Sequence, residues 1–232
     1  QIEVSAKHAC SEDMYFAYIR WMLEQNPDII IDDGGDVIHT MHEEYSSVLH
    51  HIRGASEETT TGVMRLQSRF NDGKLKIPVI MVNEAQMKYL FDNRYGTGQS
   101  VWTSIMHLTN LAIAGKTVVV AGYGWCGKGV SMRAKALGAE VIITEINPIK
   151  AVEAKMDGFR VMPMLEAVRL GDFFITVTGC NKVITTEHFE FLKEGAILSN
   201  AGHFRVEVDM DALEAYAIDS KEVKPDIREF TW

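Results

Sequence analysis

Between Lys116 and Glu145 the chain reads KTVVVAGYGWCGKGVSMRAKALGAEVIITE, and no other stretch restricts the fold as tightly. The apolar, β-branched run Val118, Val119 and Val120 has the composition of a parallel strand buried on both faces. Gly122, Gly124, Gly127 and Gly129 follow, then a helix-like segment that stops at Gly138. A second apolar strand, Val141–Thr144, ends on Glu145. Each part answers a physical need. Gly122 permits a tight turn, Gly124 lets the backbone approach a pyrophosphate, and Gly127 lets helix and strand pack closely. The helix start offers unpaired N–H groups and a positive dipole end to phosphates. Glu145 can accept hydrogen bonds from a ribose 2′-OH and would repel a 2′-phosphate. Strand, glycines, helix, strand and acid in this order predict a unit that binds NAD in preference to NADP.

Composition narrows the class without naming a reaction. With 232 residues, 47% of them hydrophobic, the chain can bury one large core or two modest ones. It has no apolar run of about 18 residues and no signal-peptide pattern, so neither membrane insertion nor secretion is expected. A net charge of −9 argues against nucleic acid as a partner, because phosphate neutralisation needs clustered Lys and Arg. Cys10, Cys126 and Cys180 are odd in number and far apart, as expected of reduced cytoplasmic thiols and not of a disulfide framework. The chain starts at Gln1 without a methionine and ends on KPDIREFTW, a run that reads as unfinished, so a fragment is expected.

Hydrophobic patterning divides the chain near residues 93–100. Residues 1–93 are expected to form part of one α/β domain, 94–100 a hinge, and 101–232 a C-terminally incomplete Rossmann domain. On the C-terminal side strands are expected at 117–122, 140–145, 160–162, 173–178 and 196–199. Helices are expected between them, with Pro148 at the first turn of one, where its missing N–H costs nothing. The N-terminal side reads as helix 11–25, strand 29–31, helix 36–49, strand 52–54, helix 62–71 and strand 78–82. Strands alternating with helices predict doubly wound parallel sheets.

The N-terminal strands end in polar clusters: Asp32-Asp33-Gly34-Gly35-Asp36, then Ser56-Glu57-Glu58-Thr59-Thr60-Thr61-Gly62, then Asn83. Beyond these come Lys88, Asp92 and Asn93. Taken singly, each has a plain explanation. DDGG is a turn with an Asp N-cap, SEETTTG a capping box, and Lys88 with Asp92 an exposed i,i+4 pair. Three such clusters at the carboxyl ends of successive strands, where open parallel sheets bind ligands, point to a site. His39 and His42 have helical metal-ligand spacing but lie on an expected surface helix, and no metal site is assigned. The 12 methionines read as core filler.

DDGGD at 32–36, SEETTTG at 56–62, KYLFDN at 88–93, GYGWCGKG at 122–129, ITEINP at 143–148 and NAGHF at 200–204 together resemble the S-adenosylhomocysteine hydrolase family, in order and along the whole chain. The resemblance implies reversible cleavage of S-adenosylhomocysteine to adenosine and homocysteine. In that reaction tightly bound NAD oxidises the ribose 3′-OH, homocysteine leaves by β-elimination, water adds, and the ketone is reduced again. It implies that Lys88, near Asp92, takes the 3′-OH proton, and that Asp33 removes or helps remove the C4′ proton. Glu58 would hold a ribose hydroxyl, and His203 would serve the water and leaving-group steps. Thr59, Thr60, Thr61 and Asn93 would contact NAD, as would Gly122, Gly124, Gly127 and Glu145. Thr178, Gly179 and Asn200 would line its groove, with Cys180 packed nearby.

The resemblance also implies a cytoplasmic enzyme of one-carbon metabolism that forms a homo-oligomer, usually a tetramer. Family chains are nearly twice this length, and the residues that read the purine lie outside this chain. An inosyl substrate therefore stays open beside the adenosyl one, as does a non-catalytic NAD-binding homologue that regulates a partner. The isolated chain is expected to be inactive. Met64 stands where a histidine is common and is expected to be a packing variation. Arg205 stands where the family usually has Asp, reversing the charge beside His203.

Overall fold

The computed structural model describes residues 2–232; Gln1, the start of the expected first domain, lies outside the described residues. Two compact units divide after Ala85.

The first unit alternates α1 (Glu12–Glu24), β1 (Ile29–Asp32), α2 (Asp36–Glu44), β2 (Gly54–Glu57), α3 (Thr60–Asn71) and β3 (Val79–Met81). The three strands are parallel in the order β1-β2-β3, with Ile30 beside Ala55 and Asp32 beside Glu57. Period-two alternation explains the burial. Ile30 and Ala55 turn into a core with Leu23, Ile38, Met41 and Leu66, while Ile29, Ile31 and Ile80 stay exposed on the opposite face. Ser11 caps α1 by accepting from the Met14 N–H at 3.3 Å. β2 begins at Gly54, later than the expected 52–54, and α2 stops at Glu44, short of the expected 49, giving way to a 3₁₀ turn over Ser46–Val48.

The second unit opens on continuous helix: α4 (Gln86–Lys88), a π-helical stretch (Tyr89–Gly96) and α5 (Thr97–Thr109). This helix runs through residues 94–100, where a hinge was expected. The unit continues with β4 (Thr117–Ala121), α6 (Trp125–Ala136), β5 (Glu140–Thr144), α7 (Pro148–Met156), β6 (Arg160–Val161), α8 (Met164–Ala167), β7 (Phe173–Thr176), α9 (Thr186–Phe189) and β8 (Ile197–Asn200). The five strands are parallel in the order β6-β5-β4-β7-β8, the doubly wound arrangement with its switch point between β4 and β7. Alternation splits the core into two layers. Val118, Val120, Ile143, Phe173 and Ile175 face one side with Trp102, whereas Val119, Ile142 and Phe174 face the other with Phe189 and Leu213. A helix α10 (Met210–Tyr216) and an antiparallel hairpin, β9 (Asp219–Lys224) with β10 (Ile227–Thr231), follow, and the run KPDIREFTW holds the turn of that hairpin and β10.

Met41 is buried and Met22, Met106, Met162 and Met164 pack against the cores, whereas Met64, Met81, Met87, Met156 and Met210 are exposed, so core filler describes some of the methionines and not others. Met64 is 62% exposed in this chain.

Candidate cofactor and catalytic sites

In the second unit the backbone turns at Gly122 with φ +103°, the conformation expected of its tight turn. A Cβ on residue 127 would collide with the Gly122 carbonyl oxygen, so α6 lies on the turn as closely as glycine allows. A Cβ on Gly124 would meet nothing within 4 Å. The protein's own packing does not call for glycine there, and what its absence leaves open is space over the start of α6. Gly124 is the N-cap of α6 and makes no side-chain cap, so the first-turn N–H groups are left for an anion. This cradle fits the pyrophosphate of a dinucleotide.

Glu145 follows β5 and holds the loop as well as facing it. One carboxylate oxygen accepts from the Tyr123 N–H at 2.7 Å and the other from the Asn147 N–H at 2.9 Å. Asn147 caps α7 in turn by accepting from the Ile149 and Lys150 N–H groups. At the ends of β7 and β8, Thr178 and Gly179 donate to Glu207, and Asn200 Oδ1 accepts from the Gly202 N–H at 2.9 Å. His203 and Arg205 are exposed on the next turn. Cys180 is exposed as well.

Lys88, Asp92 and Asn93 belong to this unit. The Lys88 ammonium donates to Asn93 Oδ1 at 2.7 Å and lies 3.3 Å from Asp92 Oδ2, one helical turn on. Only 16% of the Lys88 side chain is exposed against 61% of that of Asp92, so the pair is half-buried on its lysine side and not the wholly exposed contact that its spacing alone suggests. Tyr89 stacks on Trp125 with ring centroids 4.8 Å apart, tying this stretch to the first turn of α6. A Cβ on Gly129 would strike the Arg94 carbonyl, and one on Gly98 would strike Gly129, so α5 and α6 cross at backbone contact. Burial pushes the Cys126 thiol up, which keeps it protonated and unreactive.

In the first unit Asp33 and Glu58 are exposed at the ends of adjacent strands. The acids before them, Asp32 and Glu57, are buried and build the loops. Asp32 accepts from the Asp33 N–H at 3.0 Å and the Ile38 N–H at 2.9 Å. Glu57 Oε1 accepts from the Gly34 N–H at 3.0 Å and the Thr59 N–H at 2.8 Å, while its Oε2 is buried without a hydrogen-bond partner. Burial pushes both carboxyls above their usual range. Gly62 is required because a Cβ there would overlap the Glu57 carboxylate. Thr59 is the N-cap of α3 but makes no side-chain cap, so SEETTTG is not a capping box; Glu57 takes that loop's N–H instead. Thr60 Oγ1 accepts from the Asn83 amide at 3.1 Å, and Thr61 stands beside it in the first turn of α3. His42 bonds the Ile38 carbonyl through Nδ1 at 2.7 Å and accepts the Lys76 N–H on Nε2 at 3.0 Å, so both ring nitrogens are engaged.

Asp32, Glu57 and Glu207 are the residues that sequence reasoning missed. Counting by twos from Ile30 and Ala55 along their strands reaches Asp32 and Glu57 on the inward face. Glu207 carries no such signal.

Residues 93–232 match the family model described as S-adenosyl-L-homocysteine hydrolase, NAD binding domain. The chain belongs to this family. Its cofactor is NAD, and the glycine cradle above lies within the matched dinucleotide domain. The S-inosyl-L-homocysteine hydrolase of Methanosarcina mazei is 55% identical over 229 residues, covering 99% of this chain and 56% of that protein. The adenosylhomocysteinase of Aquifex aeolicus is 52% identical over 230 residues, covering 99% and 55%. The chain therefore spans about half the length of the curated relatives it matches. In fold it is similar to a glyoxylate reductase from Paecilomyes thermophila, with a TM-score of 0.54 at 15% identity over 87% of this chain and 66% of that one.

Proposed function

We propose that this chain carries the cofactor domain and catalytic groups of an enzyme that reversibly hydrolyses S-adenosyl-L-homocysteine to adenosine and L-homocysteine. The observation that carries this reading is the half-buried Lys88, held by Asn93 and Asp92 on a helix locked to the glycine-loop helix α6. Bound NAD supplies a hydride acceptor at the ribose 3′ carbon and returns the hydride at the end. Gly122, Gly124, Gly127 and Glu145 hold it, with Thr178, Gly179 and Asn200 along its groove and Asn93 and Thr59–Thr61 as further contacts.

Lys88 takes the 3′-OH proton, and Asn93 fixes the direction of its ammonium. Once C3′ is a ketone, the C4′ proton is acidic, and the exposed Asp33 removes it. Loss of that proton expels homocysteine thiolate from C5′. Glu58 binds a ribose hydroxyl and fixes the sugar. His203, exposed beside the end of β8, delivers a proton to the leaving thiolate and takes one from the water that adds at C5′. We read the first unit as part of the substrate domain and the second as carrying the cofactor domain, with Lys88, Asp92 and Asn93 on the second.

A hypoxanthine base in place of adenine is the second reading, supported by relatives of both names at nearly equal identity. We place the enzyme in the cytoplasm, in line with three free cysteines. No described helix is long and apolar enough to cross a membrane. We also read the enzyme as a homo-oligomer, a tetramer in the full assembly; the exposed apolar side chains of Ile146, just before α7, and of Ile149, Val152 and Met156 along it favour a face covered by a partner.

The test is thiol release from S-adenosyl- and S-inosyl-homocysteine by the full-length product of the gene encoding this chain. Release from the adenosyl compound is expected. Release from the inosyl compound alone would transfer the assignment to it, and NAD binding without release from either would support a regulatory homologue.

A further inference from the structure

Glu207 is wholly buried, 0% exposed, yet its carboxylate is fully engaged. Oε2 accepts from the Thr178 N–H at 2.8 Å and from the Thr178 hydroxyl at 2.6 Å, and Oε1 accepts from the Gly179 N–H at 3.0 Å. The Thr178 hydroxyl oxygen accepts in turn from the Cys180 N–H at 2.9 Å. Across the carboxylate lies the loop after β8. A Cβ on Gly202 would collide with Glu207 Oε1, and Asn200 spans that loop by donating to the Phe204 carbonyl at 2.7 Å. One buried charge thus lies beneath the loops that end β7 and β8. A Cβ on Gly122 would meet the Val177 carbonyl oxygen at 3.1 Å and Thr178 Cγ2 at 3.2 Å, so the first of these loops also abuts the glycine turn.

The strand order says which part of the dinucleotide these loops meet. Glu145 stands at the end of β5, on one side of central β4, and takes the adenosine ribose. A dinucleotide laid across the switch point carries its nicotinamide half over the ends of β7 and β8. We propose that Glu207 is a positioning residue for the nicotinamide half of NAD, turning the Thr178–Gly179 backbone inward and seating the Asn200–His203 loop against it. The proposal rests on reading those two loops as the nicotinamide side of the cofactor groove. It requires a carboxylate. Three donors converge on two acceptor oxygens, and an amide would set its own N–H groups against at least one of them.

The test compares NAD with ADP-ribose, which lacks nicotinamide, by calorimetric titration of the 232-residue chain. Wild type is expected to bind NAD more tightly than ADP-ribose. Glu207→Gln is expected to weaken NAD by about tenfold or more while leaving ADP-ribose within about twofold. Gly202→Ala, which displaces the carboxylate without removing it, should produce the same split with a smaller loss. A general loss of fold would weaken both ligands together and would contradict the proposal, as would Glu207→Gln retaining the wild-type NAD affinity. Wild type that does not distinguish NAD from ADP-ribose would instead overturn the placement of nicotinamide on these loops.

Discussion

Asp32 and Glu57 stand in register on adjacent parallel strands, both buried, each holding the loop from which the next acid in the chain, Asp33 or Glu58, projects. The inner pair ties down the backbone of the loops that carry the outer pair. Two carboxyls so close to one another and to Asp33 do not ionise independently.

The pair gives stability a definite pH dependence. Burial raises both folded-state values above those of the unfolded chain, so the folded protein holds protons that the unfolded chain has released. Their contribution is complete below the unfolded carboxylate range of about 4 and is lost as pH rises through the raised folded values. Glu57→Gln keeps an acceptor for Gly34 and Thr59 and removes one titration. Its melting temperature relative to wild type should rise as pH increases from about 4 to neutrality; a constant difference would refute a raised Glu57.

Gly124 and Gly127 separate binding from folding. Gly127→Ala drives a methyl into the Gly122 carbonyl and should cost about 1–3 kcal/mol of stability, read as a lower denaturation midpoint. Gly124→Ala meets only open space, so it should melt like wild type and yet lose NAD affinity. Equal effects of the two on stability would show that the loop's glycines serve packing alone.

In the proposed function Glu145 sets cofactor choice. Wild type is expected to prefer NAD to NADP by at least about tenfold, about 1.4 kcal/mol, in a direct titration. Equal affinities would mean that Glu145 faces away from the ribose.

Lys88→Arg keeps the charge but cannot give up its proton and cannot reproduce the ammonium geometry at Asn93. Turnover by the full-length enzyme should fall by about 10²-fold or more, with NAD still bound. Near-normal turnover would remove Lys88 from the proton-transfer step.

Legibility in the sequence followed physical cause. Gly122 and Gly127 were readable because only glycine meets their backbone demands, Gly124 because its place in the spacing leaves room for a pyrophosphate, and Pro148 marked the start of α7 to the residue. β2 was displaced because Gly54, Ala55 and Ser56 are weak strand formers, and only Ala55 and Glu57 turn inward. α5 was not anticipated: its Gly98 argues against helix on propensity, but is required for contact with Gly129. The closing hairpin turns at Pro225 and Asp226, the latter at φ +65°, between charged strands that show little apolar alternation. Adjacent acids are the hardest case. A shift of one residue exchanges the inward and outward faces, so DD and EE do not reveal which member is buried until strand register is known.

The most direct test of the proposed chemistry uses S-adenosylhomocysteine labelled with deuterium at C4′, incubated with the full-length enzyme and no added NAD. Homocysteine should be released and the C4′ label should wash out into water, because in the proposed mechanism Asp33 removes that proton before the thiolate leaves. Homocysteine released with the label fully retained would mean direct displacement at C5′ and would contradict the proposed chemistry.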